Sequence, residues 1–150
     1  MSIFKNNETI PTRYCYYGVK NGQNISVPLN WSEAPQKTRS LALLMYDIHP
    51  IANNWVHWMV TNIPVNIREF PEGISTKLEK PIIEHFNSYG EIGYGGPQPP
   101  KGSGPHQYIF TIYALNTILN LPLQTDLSTF LDTVNQHTLD KGVLIGIYER

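Results

Sequence analysis

Residues 95–108, Gly-Gly-Pro-Gln-Pro-Pro-Lys-Gly-Ser-Gly-Pro-His-Gln-Tyr, restrict the fold of this chain more than any other stretch. Everything from Gly95 to Pro105 is Gly, Pro, Gln, Lys or Ser, a composition that neither propagates a helix nor pairs as a ladder strand. The segment nevertheless runs straight into Ile109-Phe110-Thr111-Ile112-Tyr113-Ala114-Leu115, which has the pattern of a strand. A rigid loop therefore delivers His106 and Tyr108, two positions apart, to one face at a strand's start. Such a loop is expected to wall a pocket, the alternative being a long structural turn.

The rest of the chain is expected to be rich in short elements. Twelve Pro and eleven Gly are spread along 150 residues, which predicts many turns and few long helices. The length suits one domain, 1–150, burying about 70% of its unfolded surface. Net charge is −1 and no Lys/Arg run occurs, which argues against nucleic acid or an anionic membrane surface as main partner. Cys15 is the only cysteine, so no internal disulfide can form. The N-terminus lacks a signal-like apolar core, and no run reaches the ~18 apolar residues of a spanning helix. A cytoplasmic protein without integral membrane contact is the expectation.

Residues 24–40 carry scattered prolines and read as irregular or edge structure. Leu41–Asp47 is apolar on both faces up to its last residue, which predicts a strand covered on both sides. Trp55–Ile63 is a second strand, ended by Pro64, with Trp55 and Trp58 expected to be packing residues. Residues 65–92 show little periodicity and predict a long excursion with short pieces. Thr125-Asp126 can cap a helix over about 126–139, with Leu127, Phe130, Leu131 and Val134 on its apolar face and Gly142 as a stop. Residues 143–148 predict a last strand. Many strands with one late helix favour an all-β-dominated, antiparallel domain.

If strands 41–47 and 55–63 are antiparallel neighbours, Asp47 lies near Trp55 and His57. Asp47, His57, His106 and Tyr108 then form a polar floor for a small concave site. Each has a plainer role: a satisfied buried histidine, an Asp capping the turn at 48–50, a core tyrosine. His85 and His137 fall outside this group, the latter on the solvated side of the helix. Asp47, His49, His57 and His106 are metal-ligand types, but their spacing matches no metal signature, so neither metal nor cofactor is expected. No Gly-x-Ser-x-Gly elbow occurs and Cys15 has no neighbouring His, so no nucleophile stands out. Gly102-Ser103-Gly104 precedes a strand, unlike a phosphate-cradling loop before a helix.

Three blocks together resemble the phosphatidylethanolamine-binding protein family, in its bacterial and archaeal, Raf-kinase-inhibitor-like branch. They are Ser26–Trp31 with Pro35 and Ser40–Leu43; Trp55-Val56-His57-Trp58 running on to Pro64; and Gly95-Gly96-Pro97 through Pro100 to His106-Gln107-Tyr108. With Phe130, Gly142 and Tyr148 the resemblance spans nearly the whole chain. It implies a β-sandwich-like fold with an anion pocket at one end of the central sheet, accepting phosphate-type head groups. The matching positions are Asp47, His57, Pro100, His106 and Tyr108, with the Gly95-Gly96 turn beside them. One departure is notable: after the first strand the family has Asp-Pro-Asp-Ala-Pro, whereas this chain has Asp47-Ile48-His49-Pro50-Ile51. An inward-pointing His49 would make the mouth friendlier to anions, and Gln98, where a small residue is usual, would narrow it.

The leading functional expectation is a non-enzymatic binding protein for phosphate-type anions or phospholipid head groups. A regulator of a kinase or protease through protein contacts is the alternative, and a phosphoester hydrolase using His57 and His106 ranks third. The partner classes left open are a phosphate-bearing small molecule, such a kinase or protease, and a second copy of the chain.

Overall fold

A computed structural model describes residues 4–150. In chain order the elements are β1 (Glu8–Thr9), β2 (Leu29–Asn30), β3 (Ser40–Asp47), β4 (Val56–Ile63), β5 (Glu69–Phe70), β6 (Ile83–Glu84), β7 (His106–Leu115), α1 (Leu127–Asn135) and β8 (Thr138–Tyr148). A six-stranded sheet runs β1-β8-β7-β3-β4-β6, and β2 pairs with β5 as a separate ribbon. Every neighbouring pair is antiparallel except β1 with β8, which is parallel, so the sheet is mixed at that edge.

Strand β3 lies between β4 and β7 and is covered on both faces, as its unbroken apolar run predicts. Leu41, Leu43 and Met45 join one core with Trp58, Val60, Phe110 and, from the ribbon side, Val27, Leu29 and Phe70. Ala42 and Leu44 face the opposite way and pack with Met59, Tyr113, Leu115 and the helix residues Phe130 and Val134. Ribbon on one face and helix on the other give a sandwich-like layering. Residues 65–92 hold only β5 and β6, in line with their weak periodicity.

The helix begins as expected, with the Asp126 side chain accepting the Thr129 N–H at 2.7 Å. It ends earlier than its expected limit of 139. Both the His137 N–H and the Thr138 hydroxyl take the Val134 carbonyl, closing the last turn without a glycine. Beyond that point the ten-residue β7 offers a ladder partner: Leu115 pairs with Thr138 and Ala114 with Asp140. Gly142, expected to stop the helix, therefore lies inside β8 opposite Ile112. His137 sits just past the helix, its Nδ1 3.1 Å from Asn116 Oδ1.

Strand β4 is irregular near its start. Leu44 pairs with Met59 and Met45 with Trp58, but Tyr46 pairs with Val56. His57 is thus the extra residue of a β-bulge, which re-aims its side chain.

Candidate functional site

The end of β3 meets the starts of β4 and β7 at one edge of the sheet. Asp47 pairs directly with Tyr108, so both side chains leave the sheet on the same face. His106 follows on that face by the period of two, one step beyond the end of β3. Strict alternation from Trp58 would send His57 to the helix side; the bulge turns it over Tyr108 instead, with ring centroids 5.1 Å apart. Asp47, His57, Pro100, His106 and Tyr108 all line one cleft of ≈ 860 Å³, together with Trp55, Ser88, Tyr89 and Gln98. This size is within the range of ordinary small-molecule sites.

The Pro/Gly loop is held without a ladder. Gly95 N–H donates to the His57 carbonyl, Gly96 N–H to Asn24 Oδ1, and Pro97 O accepts from Tyr16 N–H. Arg150 Nε donates to Pro99 O at 2.6 Å, and Gly18 N–H to Gln98 Oε1 at 2.9 Å. Gly95 and Gly96 stand behind the cleft wall. The Gly95 carbonyl fixes His57 Nδ1 at 2.6 Å, and that of Gly96 takes the Tyr89 hydroxyl at 2.7 Å.

Burial and hydrogen bonding set the protonation of the floor. Desolvation pushes His57 down to about 4, outweighing the Gly95 carbonyl and the Asp47 charge, so the ring is neutral at pH 7. With Nδ1–H given to Gly95, its Nε2 is a lone-pair acceptor. Burial, followed by the Asp47 charge, holds Tyr108 far above the ordinary phenol range, so its hydroxyl keeps its proton. That hydroxyl is buried and has no hydrogen-bond partner among the described residues. Tyr108 is thus a core tyrosine whose phenol oxygen also lies below the surface.

Asp47 and His106 form a buried pair, Nδ1 to Oδ2 at 2.6 Å. The other Asp47 oxygen accepts the His49 backbone N–H at 2.8 Å, so the carboxylate closes the turn at 48–50 while it orients the imidazole. His49 does not point into the cleft. Its ring stacks on His106, centroids 3.9 Å apart and 7° from parallel, and its Nδ1 accepts the Ile51 N–H. Among the described residues no group of three or more His, Cys, Asp or Glu could hold a metal ion. His85 lies apart, bonded to Thr61 and the Pro122 carbonyl. Cys15 is buried, and desolvation pushes its thiol up to about 12, so it stays protonated.

Several cleft residues were not expected. Trp55 is not a packing residue like the fully buried Trp58; it is 38% exposed at the rim, edge-on to Tyr89. Tyr89 comes from the aperiodic stretch, where no sequence signal marks it, and stacks on Tyr16 with centroids 3.9 Å apart. Ser103 Oγ lies 2.8 Å from His106 Nε2. The only signal for it is a Ser three positions before a His between two glycines. A smaller cleft of ≈ 320 Å³ near Trp31, Asp140 and Val143 has a wall of mixed polarity and none of these buried polar groups.

The family model described as phosphatidylethanolamine-binding protein matches residues 1–149. The chain is 38% identical over 153 residues to a UPF0098 protein of Pyrococcus horikoshii, covering 99% of this chain and 75% of that protein. A UPF0098 protein of Methanothermobacter thermautotrophicus is 36% identical, with 98% of this chain and 95% of that one covered. The crystal structure of Escherichia coli YbcL, described as a new member of the mammalian PEBP family, superposes with a TM-score of 0.90 at 30% identity, covering 100% of this chain and 96% of that one. With its edge cleft, its layered sheet and these relatives, the chain belongs to the phosphatidylethanolamine-binding protein family, in its bacterial and archaeal branch.

Proposed function

We propose that this protein binds small phosphate-type anions, free or as a phospholipid head group, in the cleft floored by Asp47, His57, His106 and Tyr108. The observation that carries this reading is the buried, unpartnered Tyr108 hydroxyl in a cleft lined by imidazoles. An orphan polar group costs about 1–3 kcal/mol unless a ligand satisfies it. The floor favours a particular protonation state of the ligand. Tyr108 O–H donates to an anionic phosphate oxygen, while a neutral His57 accepts from a P–OH group. A phosphate that keeps a P–OH, inorganic or as the monoester end of a lipid head group, therefore fits better than the dianion or a phosphodiester. Asp47 does not oppose the anion as an unpaired charge, because His106 and the His49 N–H already engage both of its oxygens.

Calorimetric titration with inorganic phosphate at pH 5.5 and pH 8, for wild type and Tyr108→Phe, tests the reading. Binding should be tighter at pH 5.5, where the monoanion dominates: the second pKa is about 6 for a phosphomonoester and higher, near neutrality, for inorganic phosphate. Tyr108→Phe should weaken it by about 1.5–3 kcal/mol, the range for a hydrogen bond to a charged group. Equal heats in all four titrations would remove the anion from this cleft.

A further inference from the structure

We propose that Ser103 is a nucleophile, activated by His106 and Asp47, which accepts acyl or phosphoryl groups from activated esters. Three side chains stand in line: Asp47 Oδ2 is 2.6 Å from His106 Nδ1, and His106 Nε2 is 2.8 Å from Ser103 Oγ. Nucleophile, base and orienting carboxylate within hydrogen-bond reach is the arrangement that activates a serine. The imidazole is wholly buried, whereas Ser103 is only partly so and stands next to the cleft wall. His49 stacked on the His106 ring limits its tilt, and the His49 N–H on Oδ1 fixes the carboxylate. Tyr108 and His57 are the other titratable groups facing this set, and both are uncharged at neutral pH.

The backbone on either side of Ser103 is open. Gly102 and Gly104 have φ of +78° and +82°, with open space where a Cβ would stand. The Gly104 N–H, next after Ser103, makes no hydrogen bond among the described residues and is a donor for a developing oxyanion. Ser103 Oγ also lies 2.7 Å from the Pro100 carbonyl. Turning the hydroxyl proton from that oxygen to Nε2 is a single torsion.

The step balances with an activated ester alone. Ser103 Oγ bonds to the carbonyl carbon or phosphorus while its proton passes to His106 Nε2. The bond to the leaving group breaks, and phenolate or fluoride departs with the electron pair. His106 then returns the proton to solvent. A stoichiometric acceptor of this kind is compatible with a binding role, and phosphate titration of Ser103→Ala reads that role separately.

The test is labelling by a fluorophosphonate probe, followed by intact mass and peptide mapping. One adduct at Ser103 is expected in folded wild type, with none at that position in urea-unfolded protein or in Ser103→Ala. Asp47→Asn, which fails to hold the imidazole tautomer, should slow labelling by roughly two orders of magnitude or more. His106→Gln, with folding checked by circular dichroism, should abolish it. A Ser103 that merely closes the Pro100 turn gives no adduct, or labels equally in folded, unfolded and Asp47→Asn protein. Either result overturns the proposal.

Discussion

The Tyr108 hydroxyl is buried without a partner, so the free protein bears a penalty that phenylalanine at this position would not. Tyr108→Phe should raise the urea midpoint, by up to the ~1–3 kcal/mol that an unsatisfied group costs, while it weakens phosphate binding. Stability and affinity moving in opposite directions would mark this oxygen as kept for a ligand. His57 adds a pH term. Its folded value is lowered to about 4 from 6.5, so the unfolded chain binds the proton first as pH falls. Stability is therefore unaffected above about 6.5 and is lost between there and about 4, by about 2 kcal/mol at pH 5. His85, also lowered by burial, contributes in the same direction, so urea unfolding at pH 7 and pH 5 should show a smaller loss in His57→Gln than in wild type. An equal loss in both would place the pH sensitivity elsewhere.

At the level of elements, the loop 95–105 is rigid because other segments pack against its backbone. Gly96 is the tightest point: a Cβ there would lie 2.0 Å from the Tyr14 carbonyl oxygen. No side-chain rotation relieves a backbone clash, so Gly96→Ala must push the loop off residues 14–16. The Tyr89 hydroxyl then loses its acceptor and the cleft wall its anchor. Gly96→Ala should lower the melting temperature and weaken phosphate binding together. A variant with unchanged melting and unchanged affinity would show that the wall does not depend on this contact. The bulge at His57 is the second element-level device, because without it a β4 histidine would face the helix.

For the whole molecule, the two faces of the sheet carry different duties. The cleft opens at an edge beside the ribbon-side core, whereas α1 seals the opposite face with Phe130 and Val134, both fully buried. Phe130→Ala should cost about 3–5 kcal/mol through transfer and cavity terms. Its apolar cluster shares no residue with the cleft lining, so phosphate affinity measured well below the new melting point should be unchanged. Affinity falling in step with stability would mean that the two faces are coupled through β3 and β4.

The four long strands, the doubly covered β3, the Asp126 cap and the rigid loop before β7 were legible from residue types, because backbone restriction and apolar period act locally. So was the gathering of Asp47, His57, Pro100, His106 and Tyr108 in one cleft, partly through strand-end geometry and partly through resemblance, although Gly95 and Gly96 lie outside its lining. The inward turn of His57 was not, since a bulge depends on how β4 registers against β3. The parallel β1–β8 edge, the early end of α1 and the outward fate of His49 likewise depended on partners distant in sequence. Ser103 gained its meaning only when Asp47, fifty-six positions earlier (103 − 47), came within reach of the same imidazole. Local sequence determined which groups stand at strand ends; tertiary packing decided that the Tyr108 hydroxyl has no partner among the described residues and that Asp47, His106 and Ser103 come within hydrogen-bond reach, because those contacts join segments distant in sequence.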